Sequence, residues 1–174
     1  MDPNSQRLGT RPPGYGLGVG ERAPDAQVHD PVGRPVRLSE AMRWGPVLFV
    51  FYRGSWCPFC VSFLRALTGA EEAFRTRGVT VVCISAESAK VSTSCLPEVP
   101  FPMLDDASLA AHEDYGVQSP DGPYAVPAFF LVDTRGAVRW SHVCNDFRSR
   151  PTPEQLVSAI DAALRRDAFP ARSD

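Results

Sequence analysis

A chain of 174 residues with 44% hydrophobic residues and a formal net charge of −2 can build one core without disulfide staples. The near-neutral balance leaves no basic field, so neither nucleic acid nor an anionic membrane surface is expected as a partner. The start, Met1-Asp2-Pro3-Asn4-Ser5-Gln6-Arg7, lacks the apolar stretch of a secretory signal, and the longest apolar run, Val47 to Tyr52, falls far short of the roughly 20 residues that span a bilayer; a cytosolic protein is expected.

In chain order, residues 1–18 are rich in Gly and Pro, carry no period, and are expected to form a flexible arm. The domain is expected over residues 19–168, with 169–174 as a tail. Asp30-Pro31-Val32-Gly33-Arg34 reads as a turn. Val36 to Leu38 follows as a short strand, and Ser39 as the cap of a brief helix, Glu40 to Arg43. Pro46 to Tyr52 is apolar throughout, as a central strand covered on both faces requires.

From Cys57 the pattern turns helical. Phe59, Phe63, Leu67, Ala70 and Phe74 form one stripe, and Gly78 ends the helix. Val79 to Ile84 reads as a second buried strand and Glu87 to Cys95 as a weaker helix. Pro100 and Pro102 confine Phe101 to Leu104 to a sheet edge. Ala107 to Asp114 is helical up to Gly116. Val126 to Val132 and Ala137 to Val143 form a hairpin around Asp133-Thr134-Arg135-Gly136. Thr152, Pro153 and Gln155 make a capping box for the last helix, whose buried stripe is Leu156, Ile160 and Leu164. An early βαβ unit requires parallel strands, and the late hairpin requires an antiparallel edge. The order therefore predicts an α/β protein with a mixed sheet and helices on both faces.

Five cysteines are present: Cys57, Cys60, Cys83, Cys95 and Cys144. The odd count argues against a disulfide framework. Cys57 and Cys60 stand where the apolar strand gives way to a helix. A helix N-terminus offers unpaired backbone N–H groups and the positive end of the dipole, and both favour the reactive thiolate. Residues three apart share a helix face, so the two thiols lie within disulfide reach. Cys57 is expected to be the better exposed, because the chain is still leaving the loop there. Pro58 suits the first helical position, and a guanidinium such as that of Arg53 would add to thiolate stabilisation. The competing readings are a zinc half-site, completed at unusual spacing by His142 and Cys144, and a pair of inert core thiols. With no second C-x-x-C, no metal is expected. Cys83 reads as a core thiol, Cys95 and Cys144 as remote candidates for a resolving role, and His112 and His142 as surface or satisfied residues.

Trp56-Cys57-Pro58-Phe59-Cys60 resembles the W-C-x-x-C site of the thioredoxin superfamily. The longer string from Phe51-Tyr52-Arg53-Gly54-Ser55 through Cys60 resembles the peroxiredoxin-like branch of the alkyl hydroperoxide reductase and thiol-specific antioxidant family. Gly20-Glu21-Arg22-Ala23-Pro24-Asp25, Ile84-Ser85-Ala86-Glu87-Ser88 and Phe101-Pro102-Met103-Leu104-Asp105-Asp106 support that resemblance. It implies a thioredoxin-like fold with a mixed central sheet and helices on both faces. It also implies a cofactor-free thiol peroxidase acting on hydrogen peroxide or organic hydroperoxides, reset by a thioredoxin- or glutathione-type reductant. The oligomeric state is left open, a homodimer included.

The family's P-x-x-x-T/S-x-x-C pattern places Arg53 at the Pro, Cys57 at the Thr and Cys60 at the peroxidatic Cys. The family's arginine before the last helix falls on Arg150, with Arg148 as the neighbouring choice. Arg53, Trp56 and Pro127 become candidate substrate-binding residues. Pro127 qualifies because Val126-Pro127 matches the proline that thioredoxins hold opposite C-x-x-C. Cys57 in place of Thr and Arg53 in place of Pro are departures, and two mechanisms follow. In a peroxidase, Cys60 attacks the hydroperoxide and Cys57 condenses with the resulting sulfenic acid. In a dithiol–disulfide oxidoreductase, Cys57 attacks a substrate disulfide and Cys60 resolves it. Register favours Cys60 as the nucleophile and exposure favours Cys57.

Overall fold

The computed structural model describes residues 8–168; residues 1–7 of the expected arm and the expected tail lie outside the described residues. Seven strands form one mixed sheet: β1 (Gln27–His29), β2 (Pro35–Arg37), β3 (Val47–Phe51), β4 (Thr80–Ser85), β5 (Met103–Asp105), β6 (Ala128–Val132) and β7 (Val138–Val143). Their order across the sheet is β2-β1-β5-β4-β3-β6-β7. β4 runs parallel to β3 and β5, and β6 pairs antiparallel with both β3 and β7.

Every residue of β3 is buried because alternate side chains enter two cores. Leu48 and Val50, continued by Tyr52, join one core with Phe129, Leu131 and the helices α2 (Pro58–Thr68), α3 (Glu71–Thr76) and α6 (Pro153–Ala168). Val47, Phe49 and Phe51 join the other with Phe130, Val132 and residues of α1 (Leu38–Ala41) and α5 (Ala110–Asp114). The remaining helix, α4 (Ala89–Cys95), packs beside β5. This continuous apolar strand ends at Phe51, directly before the loop that carries the thiols.

Several expectations shift. The strand β1 lacked a signal, being three residues long. Helix α1 starts at Leu38, so Ser39 lies inside it and is no cap; Glu40 Oε1 accepts the Arg37 N–H at 3.1 Å and Asp25 accepts the Ser39 N–H at 2.9 Å. The single helix expected after Cys57 is broken at Gly69 and Ala70, where Thr68 Oγ1 donates back to the Leu64 carbonyl at 3.0 Å. Such back-bonding weakens a helix, and glycine after it favours an end. β5 is internal rather than an edge, because its prolines precede the paired residues and Pro102 serves as an acceptor for the Cys83 N–H at 2.9 Å. The Thr152–Gln155 box forms as expected, with reciprocal bonds of 2.9 and 3.2 Å.

Residues 8–18, read above as a flexible arm, lie against the domain. Leu8 packs on the first core and Tyr15 and Leu17 on the second. The Thr10 carbonyl accepts from the Val143 N–H at 2.9 Å, and the Leu17 carbonyl from Ser141 Oγ at 2.8 Å.

His142 corrects the expectation of a surface or satisfied histidine. It is buried in β7, stacked against Phe129 and Trp140, and neither ring nitrogen has a hydrogen-bond partner. Burial lowers its pKa to about 4 from 6.5. The unfolded chain therefore binds a proton that the folded chain refuses. Stability is complete above about pH 6.5 and falls as the pH drops toward about 4, by roughly 2 kcal/mol at about pH 5. Urea unfolding at about pH 7 and about pH 5 should show the wild type losing this much more than His142→Phe.

Candidate active site

The thiols sit on the first turn of α2, which Cys57 caps with extended backbone and Pro58 opens. Both are buried, Cys57 at 2% exposure and Cys60 at 0%. Cys57 is the less buried of the two, as expected, but the loop before it folds back and covers most of it: the Cys57 N–H donates to the Gly54 carbonyl at 3.2 Å. Gly54 has a φ of 153°, and a Cβ there would collide with the Trp56 indole, so glycine lets that ring lie over the loop. No cysteine is in a disulfide.

Each sulfur has its own arginine. Arg150 Nη2 lies 2.9 Å from Cys60 Sγ, while its Nη1 donates to the Phe147 carbonyl at 2.6 Å. Arg148, the neighbouring choice, turns instead to Asp146 at 3.3 Å. Arg53 touches both sulfurs: its backbone N–H donates to Cys60 Sγ at 3.4 Å and its Nη1 to Cys57 Sγ at 3.7 Å. Its guanidinium is held by the rings of Trp56, Tyr124 and Phe147 at 4.9, 4.7 and 4.3 Å. Trp56, Phe59 and Phe147 are exposed and form an aromatic rim. Phe59, expected in the buried stripe of the helix, belongs to this rim because it precedes the first buried turn. Pro127 borders, with Arg53, Tyr124, Cys144 and Phe147, a cavity of about 140 Å³. The Val126–Pro127 bond is trans, and the Pro127 carbonyl is taken by the Cys144 N–H at 2.9 Å.

The thiols titrate in opposite directions. Burial opposes ionisation of Cys57, but the Cys60 N–H, the Cys60 thiol, the Arg53 guanidinium and the Phe59 N–H outweigh it and hold the Cys57 pKa below its ordinary value. Burial raises the Cys60 pKa; the Arg150 charge and the Arg53 N–H oppose this, and negative charge on Cys57 adds to the rise. Of the coupled pair, Cys57 therefore ionises the more readily, and its charge in turn opposes ionisation of Cys60. Burial pushes the Cys83 and Cys144 thiols up to about 12, which makes them poor nucleophiles. Cys95 is exposed at the end of α4. Among the described residues no three metal-binding side chains come together.

Glu87 is a member of the site that the sequence did not announce as one. Its carboxylate accepts the Ser55 N–H at 2.9 Å, Ser55 Oγ at 3.0 Å and Ser92 Oγ at 2.6 Å, clamping the loop that carries Arg53 and Trp56. Its only signal was its place in the Ile84–Ser88 string. Tyr124 and Phe147, which complete the box around Arg53, had none.

The description "AhpC/TSA family" matches residues 19–141. The chain belongs to the AhpC/TSA family. Among relatives, a peroxiredoxin 2 of Caldanaerobacter subterraneus is 28% identical over 70% of this chain and 58% of its own length. Peroxiredoxin-2 of Macaca fascicularis is 30% identical over 84% of this chain and 76% of its own length. The reduced 2-Cys peroxiredoxin of Plasmodium vivax superposes with a TM-score of 0.75 at 25% identity, covering 87% of this chain and 99% of that one. Enterococcus faecalis AhpC superposes with a TM-score of 0.78 at 18% identity, covering 90% and 98%. The family's thioredoxin-like fold is thus the fold of this chain. Arg150 lies beyond the stretch matched to the family, so its assignment rests on its contact with Cys60. Among the described residues no helix is long and apolar enough to cross a membrane.

Proposed function

We propose that this protein is a thiol-dependent peroxidase, an oxidoreductase that reduces hydrogen peroxide or organic hydroperoxides at the Cys57–Cys60 pair. Family membership and the peroxiredoxin relatives support the class. The observation that carries the site is Arg150 at 2.9 Å from Cys60 Sγ. A guanidinium there stabilises the attacking sulfur and can hold the peroxide oxygens through its remaining N–H groups.

The order of ionisation gives the mechanism. Cys57, the thiol of the pair that ionises the more readily, takes as thiolate the Cys60 proton as Cys60 Sγ attacks the distal peroxide oxygen. The O–O bond breaks, the Cys57 proton passes to the leaving oxygen, and water or an alcohol departs. Cys60 is left as a sulfenic acid and Cys57 as a thiolate again. Cys57 Sγ then attacks Cys60 Sγ, the S–O bond breaks, and hydroxide leaves to become water. A thioredoxin- or glutathione-type dithiol system returns the disulfide to two thiols. The pair lies within one helical turn, so the disulfide closes by side-chain rotation. The setting inferred is the cytosol, where five thiols stay reduced, and a homodimer is compatible with the reading.

The lowered pKa of Cys57 favours a second reading, a dithiol–disulfide oxidoreductase in which Cys57 attacks a protein disulfide and Cys60 resolves it. Reduced protein mixed with one equivalent of peroxide, or of an oxidised dithiol protein, separates the two. The peroxidase reading expects peroxide to be consumed faster, with the intact mass falling by two hydrogens and a peptide linking Cys57 to Cys60. Slow consumption of peroxide beside fast exchange with the protein disulfide would overturn it.

A further inference from the structure

Arg53 is the contact by which this site treats its second sulfur differently from its first. We propose that Arg53 arms the resolving thiol: it favours the Cys57 thiolate once the Cys60 sulfenic acid has formed, so that Cys57 captures that sulfur before a second peroxide does. The assignment rests on the peroxidase reading and gives Arg53 a role in place of the substrate contact expected from sequence.

Three observations carry it. The Arg53 guanidinium reaches Cys57 Sγ at 3.7 Å, whereas the cation on Cys60 is Arg150. Its direction is fixed by Trp56, Tyr124 and Phe147, three rings at 4.3 to 4.9 Å that hold a planar cation without neutralising it. Glu87, the carboxylate of the loop clamp, is occupied by Ser55 and Ser92 rather than by Arg53. The charge is therefore available to sulfur. A proline at this position would supply neither the side-chain contact to Cys57 nor the N–H that Arg53 gives Cys60.

Two reactions compete for the Cys60 sulfenic acid. In resolution, Cys57 thiolate attacks Cys60 Sγ, the S–S bond forms, the S–O bond breaks, and hydroxide leaves as water after taking a proton. In overoxidation, the sulfenate attacks a second hydroperoxide, the O–O bond breaks, and sulfinate forms with release of alcohol or water. Only the thiolate of Cys57 performs the first, so its ionised fraction sets the outcome. A neutral residue at 53 reduces that fraction without altering the spacing of the two sulfurs.

Stopped-flow Trp fluorescence of the reduced protein resolves a peroxide-dependent first phase from a peroxide-independent resolution phase. Intact mass under excess peroxide, with dithiothreitol recycling, gives the sulfinate fraction. In Arg53→Gln the ratio of resolution to peroxide attack should fall by about tenfold, the factor one pKa unit carries, with a matching rise in sulfinate on Cys60. Resolution in that variant should reach its plateau at higher pH than in the wild type, and Arg53→Lys should recover part of the ratio. An unchanged ratio, an equal fall of both phases, or identical pH profiles would overturn the role. Wild-type protein without a peroxide-dependent first phase would instead overturn the peroxidase reading. That failure is told apart by thiolate absorbance in Cys60→Ser, where Cys57 should titrate lower than it does in the double variant Cys60→Ser, Arg53→Gln. Equal titration overturns the Arg53 assignment without any use of peroxide.

Discussion

Cys60→Ser is expected to abolish the reaction with peroxide, by roughly 10³-fold or more, while Cys57→Ser retains a single oxidation and stops at the sulfenic acid. A hydroxyl in place of Cys60 Sγ removes the atom beneath Arg150, and Cys57 then has Arg53 beside it but no arginine placed to hold a peroxide. Cys57→Ser works the other way. Negative charge on Cys57 is one of the influences that raise the Cys60 thiol. Without it, Arg150 and the Arg53 N–H act on Cys60 alone, and the thiolate forms there directly. The retained oxidation is read as the fluorescence phase that scales with peroxide, and the sulfenic acid by dimedone labelling. A fast phase that survives Cys60→Ser and vanishes in Cys57→Ser would reverse the roles and bring the site into line with a disulfide oxidoreductase.

Arg150→Gln is expected to lower the second-order rate constant for peroxide by about 10²–10³, the usual cost of removing one donor aimed at developing charge. The sign with pH follows from the geometry. Arg150 pulls the Cys60 pKa down against burial, so its loss raises that pKa and the rate recovers as the pH is raised. Lysine is no substitute, because Arg150 bonds the Phe147 carbonyl and the sulfur with two separate nitrogens. Arg148→Gln provides the comparison: Arg148 is exposed and paired with Asp146, and its variant should keep the wild-type profile.

The sequence spoke clearly wherever the cause was local. The apolar run at Val47 to Phe51, the one-turn spacing of Cys57 and Cys60, and the Thr152–Gln155 box each depend on neighbours a few residues away, and each appears where expected. Arg150 was reached through family register, and its side chain lies on the sulfur that register names. What escaped was set at a distance. Glu87 meets Ser55 across 32 positions, and Tyr124 and Phe147 close on Arg53 from two further loops. The burial of Cys57 depends on how its loop folds, and that of His142 on which face of β7 meets the helices; alternation alone does not say which face is covered. Two prolines near β5 were read as the mark of an edge, although what decides an edge is whether the prolines fall on paired positions.

The segment before residue 22 has one more effect, on the outer rim of the sheet. β7 is the last strand on its side. The Glu21 carbonyl accepts from the Val138 N–H and the Val138 carbonyl accepts from the Gly20 N–H, at 2.9 and 2.8 Å, while Thr10 takes the Val143 N–H farther along. An outer strand with idle backbone groups is a template on which a second chain can lay a strand of its own. Here the chain's own leading segment fills that template at both ends. The opposite rim, β2, is only three residues long and begins with Pro35, which offers no donor. The leading segment therefore occupies backbone groups of β7 that a strand of a second chain would otherwise pair with.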